Sequence, residues 1–502
     1  MKKILLIISV AMISLGTVSC KKYLDINTDP NSPDPEQIEP GMILPGAEVA
    51  LMTSYGDFYR ILGGYFSQQF SQMFGTSNYL SYSQFEMLPT KSNTHYTQLY
   101  QKVLVNCKNI MEKADAEGNA AVNLQAAAYS AFAYQILVDC FGEVPYTEAL
   151  DATNLAPKYD DGLTVYKGIL SVLDGAITLA KEKGGIPATS LLYPGGTAAD
   201  WIKFANTVKL KILMRMSNQA DAATELSALI AENNFITSDA EFAGCFKNEE
   251  QQASPLYSEE YATWHSQSNV IGNVAYINTM LQTDAEGTVV YTDGRLAKFY
   301  TTNNSGNFVG GISGTNFGTT APSPYNNAAG FSRPDIKFDT PVSLISLAEV
   351  EFFKAEYYAK NGGDAESHYE AAVEASFSSA GADGADDFLG LYPYDAANYK
   401  ECIGIAKWLA LGGINNFESW CEVRRLKYPA FGNVKGSDMW NGSNAVDVSI
   451  YEAGTLYTPY QVFAQVGENN LIARWPYPES STSRNANSPA FKGYTTPVFW
   501  AE

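Results

Sequence analysis

Two stretches of the chain set aromatic rings beside amides: Asn78-Tyr79-Leu80-Ser81-Tyr82, and the run from Tyr257 through Tyr261 and Trp264 to Gln267 and Asn269. The faces of Tyr and Trp can pack on apolar C–H surfaces, and Asn, Gln and Asp can satisfy hydroxyl or amide groups. That combination suits a platform for an oligosaccharide or a peptide. Tyr325 and Trp440, in loop-like surroundings, are lesser candidates for the same role. For any one ring, the simpler reading is that it packs its loop onto the body. For at least one of the two stretches a ligand role is expected, because loops carry binding contacts disproportionately.

Evidence for catalysis is thin. Glu249, Glu250, Glu259 and Glu260 lie near Tyr257, Tyr261 and Trp264, and a glycosidase needs two carboxylates flanking a sugar bond. Neighbouring acids are more often a solvated surface, and these are expected to be one. The three histidines, His95, His265 and His368, are far apart, and no H-E-x-x-H or Cys/His zinc spacing occurs. Nor is there a G-x-S-x-G elbow or a G-x-x-x-x-G-K-[ST] loop, and Gly310, Gly311 and Gly314 read as turn formers. The expectation is therefore no catalytic residue, no metal centre and no cofactor.

The elements that must position these residues are mostly helices. A helix predicted from Pro341 places Leu344, Ala348, Phe352, Ala355 and Ala359 on one face and stops at Asn361-Gly362-Gly363. Asp364 can cap the next helix, where Ala365, Tyr369 and Ala372 repeat the step, so the pair is a hairpin similar to a tetratricopeptide repeat. The same spacing predicts helices around Val165, Ile169 and Val172, from Trp201 to Met216, and around Ala222, Leu226 and Leu229. Further helices are expected at 43–74, 95–115, 122–140 and 396–412. Crowded Gly, Asn and Pro at about 283–340, and again from 428 to 502, predict long loops with a few short strands. The fold class is mainly α: tetratricopeptide-like helical hairpins with long irregular loops.

At the amino terminus, Lys2 and Lys3 precede an apolar run from Ile4 to Leu15, too short to span a bilayer and suited to a signal peptide over residues 1–19. The closing Gly16-Thr17-Val18-Ser19-Cys20 resembles a lipobox, with Thr17 departing from its usual leucine, and makes Cys20 the expected lipidation site. Residues 20–41, rich in Pro and Asp, read as a flexible tether, and 42–502 as one domain. No later run supplies ~18 uninterrupted apolar residues. With 54 acids against 33 bases the net charge is −21, which argues against nucleic acid as partner. Cys107, Cys140, Cys245, Cys402 and Cys421 are scattered and read as mostly buried thiols, with a disulfide left open.

Several segments, in order along the chain, resemble the SusD/RagB family and its shorter SusD-like branch. They are Ser19 to Asp25, with the cysteine followed by Leu24-Asp25; Phe141-Gly142-Glu143-Val144-Pro145-Tyr146; the helix from Trp201 to Arg215; Asp293-Gly294-Arg295-Leu296; Leu347 to Gly362; Glu418 to Arg425; and Arg474-Trp475-Pro476-Tyr477-Pro478 with Asn485 and Asn487. Trp201 and Phe204 read as core anchors, and Glu422, Arg424 and Arg425 as charge-assisted clamps on helix and loop ends. The resemblance implies a tetratricopeptide-like body, lipid-tethered at the cell outer membrane and surface-exposed. It would capture a glycan or peptide without catalysis and pass it to a SusC-like TonB-dependent transporter. A surface glycoside hydrolase, or a ligand-free repeat scaffold for a protein partner, are the alternatives. The family shares no invariant ligand motif, so the resemblance assigns no binding residue.

Overall fold

The computed structural model describes residues 38–263, 269–442 and 444–501. The expected signal peptide, Cys20 and most of the tether lie outside these residues, as do Trp264 and Gln267. Helix begins at Pro40, whose fixed φ suits a first helical position, so Pro40 and Gly41 belong to the first helix rather than to the tether.

At the centre is the helix Ala120–Phe141, all of whose 22 residues are buried. Its alanines let neighbours approach, and it packs against Val105–Glu117, Gly162–Lys183 and Ala198–Arg215. The side chain of Asn119 caps it by accepting from the amide of Val122, and Gly118, in the left-handed region at φ +71°, turns the chain out of the preceding helix. Helices then pair in succession: Ala198–Arg215 with Ala220–Glu232, Leu347–Asn361 with Ala365–Ala380, and Tyr399–Leu411 with Asn416–Leu426. Trp201 and Phe204 are wholly buried, as expected of core anchors. Gly63 lets Arg60–Phe66 lie directly on the last of these helices, since an added Cβ there would sit 2.4 Å from backbone atoms of Asn416 and Phe417, and Gly64 makes room for the ring of Phe70.

Local signals shift several boundaries. The helix at 341 begins instead at Leu347, where Ser346 and Glu349 form a reciprocal capping box. Val342–Ile345 is a strand pairing antiparallel with Ala240–Phe242. The run at 43–74 divides into Pro40–Ser54, a π-helical turn Tyr55–Tyr59, Arg60–Phe66 and, past the left-handed Gln68, the strand Phe70–Gln72. The stretch at 95–115 likewise becomes Asn93–Gln98, a π-helical turn Leu99–Leu104 and Val105–Glu117. In Gly162–Lys183, Val165 and Ile169 are buried but Val172 is exposed, and the inward stripe continues through Leu173 and Ile177. That helix is long and apolar enough by composition to cross a membrane. Here it is an amphipathic member of the body, with Lys167 bound to Asp221 and Lys181 to Glu232 on its outer side. All five cysteines of the described body are free thiols.

Candidate functional site

The antiparallel pairing of Phe70–Gln72 with Val270–Gly272 brings the two aromatic stretches together, because one follows the first strand and the other precedes the second. Asn78 donates from Nδ2 to Oδ1 of Asn269 at 2.8 Å, across 191 residues of sequence. The hydroxyl of Tyr79 donates to Oε1 of Glu259 at 3.0 Å, and its amide donates to Gln72. Asn78, Tyr79, Tyr82, Tyr257 and Tyr261 thus belong to one region of the molecule.

Their rings do not play one role. Tyr79 and Tyr82 are 7 % and 6 % exposed, stack on each other with centroids 5.9 Å apart, and lean on Tyr65. They fix the turn at 78–83 to the body and offer little face to a ligand. Tyr257 and Tyr261 stack at 5.0 Å with an interplanar angle of 28° and remain half-buried, so part of each ring stays accessible. Tyr325 and Trp440 stand apart, in a cluster with Phe317, Phe331 and Tyr460. At 8 % and 4 % exposed they hold the loops of 315–331 and 440–460 together.

Glu249 and Glu250 are exposed, as expected of a solvated surface, whereas Glu259 is half-buried and Glu260 corrects that expectation. Glu260 is fully buried and accepts the amides of Asn269 at 2.6 Å and Val270 at 3.2 Å. Burial raises its pKa and those amides oppose the rise. Asp57, from the π-helical turn Tyr55–Tyr59, has its carboxyl held well above the usual range, first by burial and then by the charges of Glu259 and Glu260. Asp57 and Glu259 share the wall of a hollow of about 490 Å³ with Thr263, Gln251, Gln252 and Phe246, and no lysine or arginine among the described residues lines it. The walls therefore present acceptors and amides over an apolar floor, a combination suited to hydroxyl-rich ligands. The pairing of rings with amides misses Asp57, although one acid inside Tyr55-Gly56-Asp57-Phe58-Tyr59 is a visible anomaly in an otherwise apolar run. Among the described residues no group of His, Cys, Asp and Glu is arranged to hold a metal ion.

The segments that carried the family resemblance meet as structural clamps. Glu143 is bound by Arg474 at 3.1 Å and by the hydroxyl of Tyr477 at 2.6 Å, joining the Phe141–Tyr146 turn to the closing Arg474–Pro478 segment. Asn485 and Asn487 donate to the carbonyls of Pro157 and Ala156. Asp293 and Arg295 form a buried pair at 2.6 Å, with the guanidinium 4.1 Å from the centroid of Phe377. Arg424 donates to the carbonyls of Asp139 and Ala473, and Arg425 grips Glu356 and Glu422.

A family model described as "Starch-binding associating with outer membrane", SusD-like, matches residues 32–448. No curated protein matches the chain. Among solved structures, a chitin-binding protein shares 20 % identity at a TM-score of 0.71, over 92 % of this chain and 100 % of that one. A SusD homologue from Bacteroides uniformis shares 20 % identity at a TM-score of 0.72, over 92 % and 99 %. A SusD/RagB family protein from Bacteroides thetaiotaomicron gives 20 % and 0.69 over the same shares. At such identities the structural likeness speaks for the fold, and the family model, which spans most of the sequence, speaks for membership: the chain belongs to the SusD/RagB family of outer-membrane-associated carbohydrate-binding proteins, in its SusD-like branch.

Proposed function

We propose that this protein is a non-enzymatic nutrient-binding lipoprotein, tethered through Cys20 at the cell surface, that captures an oligosaccharide and delivers it to a SusC-like TonB-dependent transporter. The observation that carries the binding half is the accessible Tyr257/Tyr261 stack, on the same segment as Glu259, which lines the hollow with Asp57. The phenols, which stand outside the lining of the hollow, can take the C–H face of one sugar ring, and the hydroxyls of another unit of the same chain can donate to the acids of the hollow and meet Gln251 and Gln252. A tether raises the effective concentration of such a body at its transporter. Family membership and the absence of the familiar catalytic motifs from the sequence support capture without turnover.

The test is binding of chito- and malto-oligosaccharides, with product release followed in the same samples. Tyr261→Ala and Tyr257→Ala should each weaken binding by about three- to tenfold, the scale of one aromatic contact, and wild type should release no product. Unchanged affinity in both variants would discard this face. The raised pKa of Asp57 gives the hydrolase reading its one specific support. Product formation that Asp57→Asn and Glu259→Gln each abolished would establish that reading instead.

A further inference from the structure

A second hollow, of about 250 Å³, lies between the Asn93–Leu104 helical stretch, the loop at 145–157 and the turn Glu479–Thr482. Tyr100, Leu155 and Pro157 form its apolar side, and Thr97, Gln101 and Arg484 its polar rim. Tyr100 is fixed edge-on to Tyr134 and donates from its hydroxyl to the carbonyl of Pro145 at 2.7 Å, so this wall is rigid. Leu155 is 86 % exposed at the mouth, an apolar side chain left in water. The loop is also locked from behind. Asn485 and Asn487 hold the carbonyls of Pro157 and Ala156, Tyr159 bonds Ser481, and Leu150, a lining residue, is kept at φ +61°, a state rare for leucine.

Charge here is the reverse of the first site. No Asp or Glu among the described residues lines the hollow, in a chain of net charge −21. Arg484 is exposed, and its guanidinium has no hydrogen-bond or ion-pair partner among the described residues. The acids of the adjoining loop are engaged elsewhere: Glu148 with Asn154 and Lys158, Asp151 with Thr153, and Asp160 with Thr147. An arginine fork recognises a carboxylate through two parallel hydrogen bonds. The volume lies below the roughly 300 Å³ of an ordinary ligand pocket, so it admits a sugar unit rather than a long chain.

We infer that this hollow is a second carbohydrate-binding site, selective for a hexuronic acid unit whose ring packs on Tyr100 and Leu155 and whose carboxylate pairs with Arg484. The inference rests on the glycan-binding reading of the chain but on different residues. The probes are trigalacturonic acid and its methyl ester, which keeps the ring and removes the charge, titrated calorimetrically into the full chain. The acid should bind at least about tenfold tighter than the ester, an advantage within the range of a charge-assisted bidentate contact. Arg484→Gln should erase that advantage and leave ester binding unchanged, and Leu155→Ala should weaken both forms. Both positions are exposed, so the variants should fold as wild type. Failure of either form to bind, a preference that survives Arg484→Gln, or tighter binding of a tripeptide through its free carboxylate would each overturn the assignment. Tyr261→Ala should leave the acid-over-ester ratio unchanged. Failure of the first site would instead show as neutral-glycan binding insensitive to Tyr261→Ala, whatever Arg484→Gln does.

Discussion

Single residues divide into those whose chemistry faces inward and those left with a free face. Tyr79 spends its hydroxyl on Glu259 and its ring on Tyr82, whereas Tyr261, on the turn after Glu259, keeps part of its ring accessible. His95 shows what inward-facing chemistry does to a titratable group. Its ring stacks on Phe58 at 4.1 Å and 2°, and burial lowers its pKa from 6.5 to about 4. With the folded pKa below the unfolded one, the unfolded chain binds the proton first as pH falls. Stability from His95 is therefore complete above pH 6.5 and is lost as pH falls toward 4. Between pH 7 and 4.5, wild type should lose about 1 to 2 kcal/mol more than His95→Phe, after allowance for partial exposure. Urea unfolding at the two pH values measures this, and equal losses in both proteins would refute it.

Secondary-structure elements were legible where the signal was local. Ala120–Phe141, Tyr399–Leu411 and the turn between Leu347–Asn361 and Ala365–Ala380 lie within a few residues of their expected places, because apolar spacing, caps and glycine stops are properties of neighbouring residues. Where two signals compete, the local pattern misplaces the boundary. Pro341 suits a first turn, yet the β-branched Val342 and Ile345 favour a strand, and Ser346-x-x-Glu349 is the true start. Ser346→Ala removes the side-chain acceptor for the amide of Glu349. It should lower stability by about 1 kcal/mol and leave oligosaccharide affinity unchanged. A loss below a few tenths of a kcal/mol in urea unfolding would show that the strand pairing, not the cap, fixes this helix. Likewise the end of Arg60–Phe66 depends on the left-handed Gln68, whose side chain is held by Tyr457, 389 residues away.

Across the whole molecule, helices distant in sequence are tied by buried charge. Arg215 reaches Asp139 and Glu418 at 2.7 Å, and Lys211 reaches Glu418 at 2.8 Å and Glu349 at 3.4 Å, all at most 1 % exposed. Four helices therefore meet through one network that water cannot screen. Arg215→Met would leave buried Asp139 without its ion-pair partner and Glu418 with Lys211 alone, and should cost about 3 to 5 kcal/mol, read as a loss of urea midpoint at pH 7. A change under 1 kcal/mol would mean that the carboxylates find other partners or protons.

The sequence alone determined the helical class, the order of hairpins and loops, and the family, since these follow from periodicity, caps and the order of short segments along the chain. It also grouped Asn78, Tyr79 and Tyr82, and Tyr257 and Tyr261, as residues of interest. Tertiary structure decided which of them keep an accessible face. Joining Asn78 to Asn269, burying Tyr79, Tyr82, Tyr325 and Trp440, and bringing Asp57 to the same wall as Glu259 all depend on contacts between distant segments. A ring's exposure is set by what packs on it from elsewhere in the chain, and no local pattern records that.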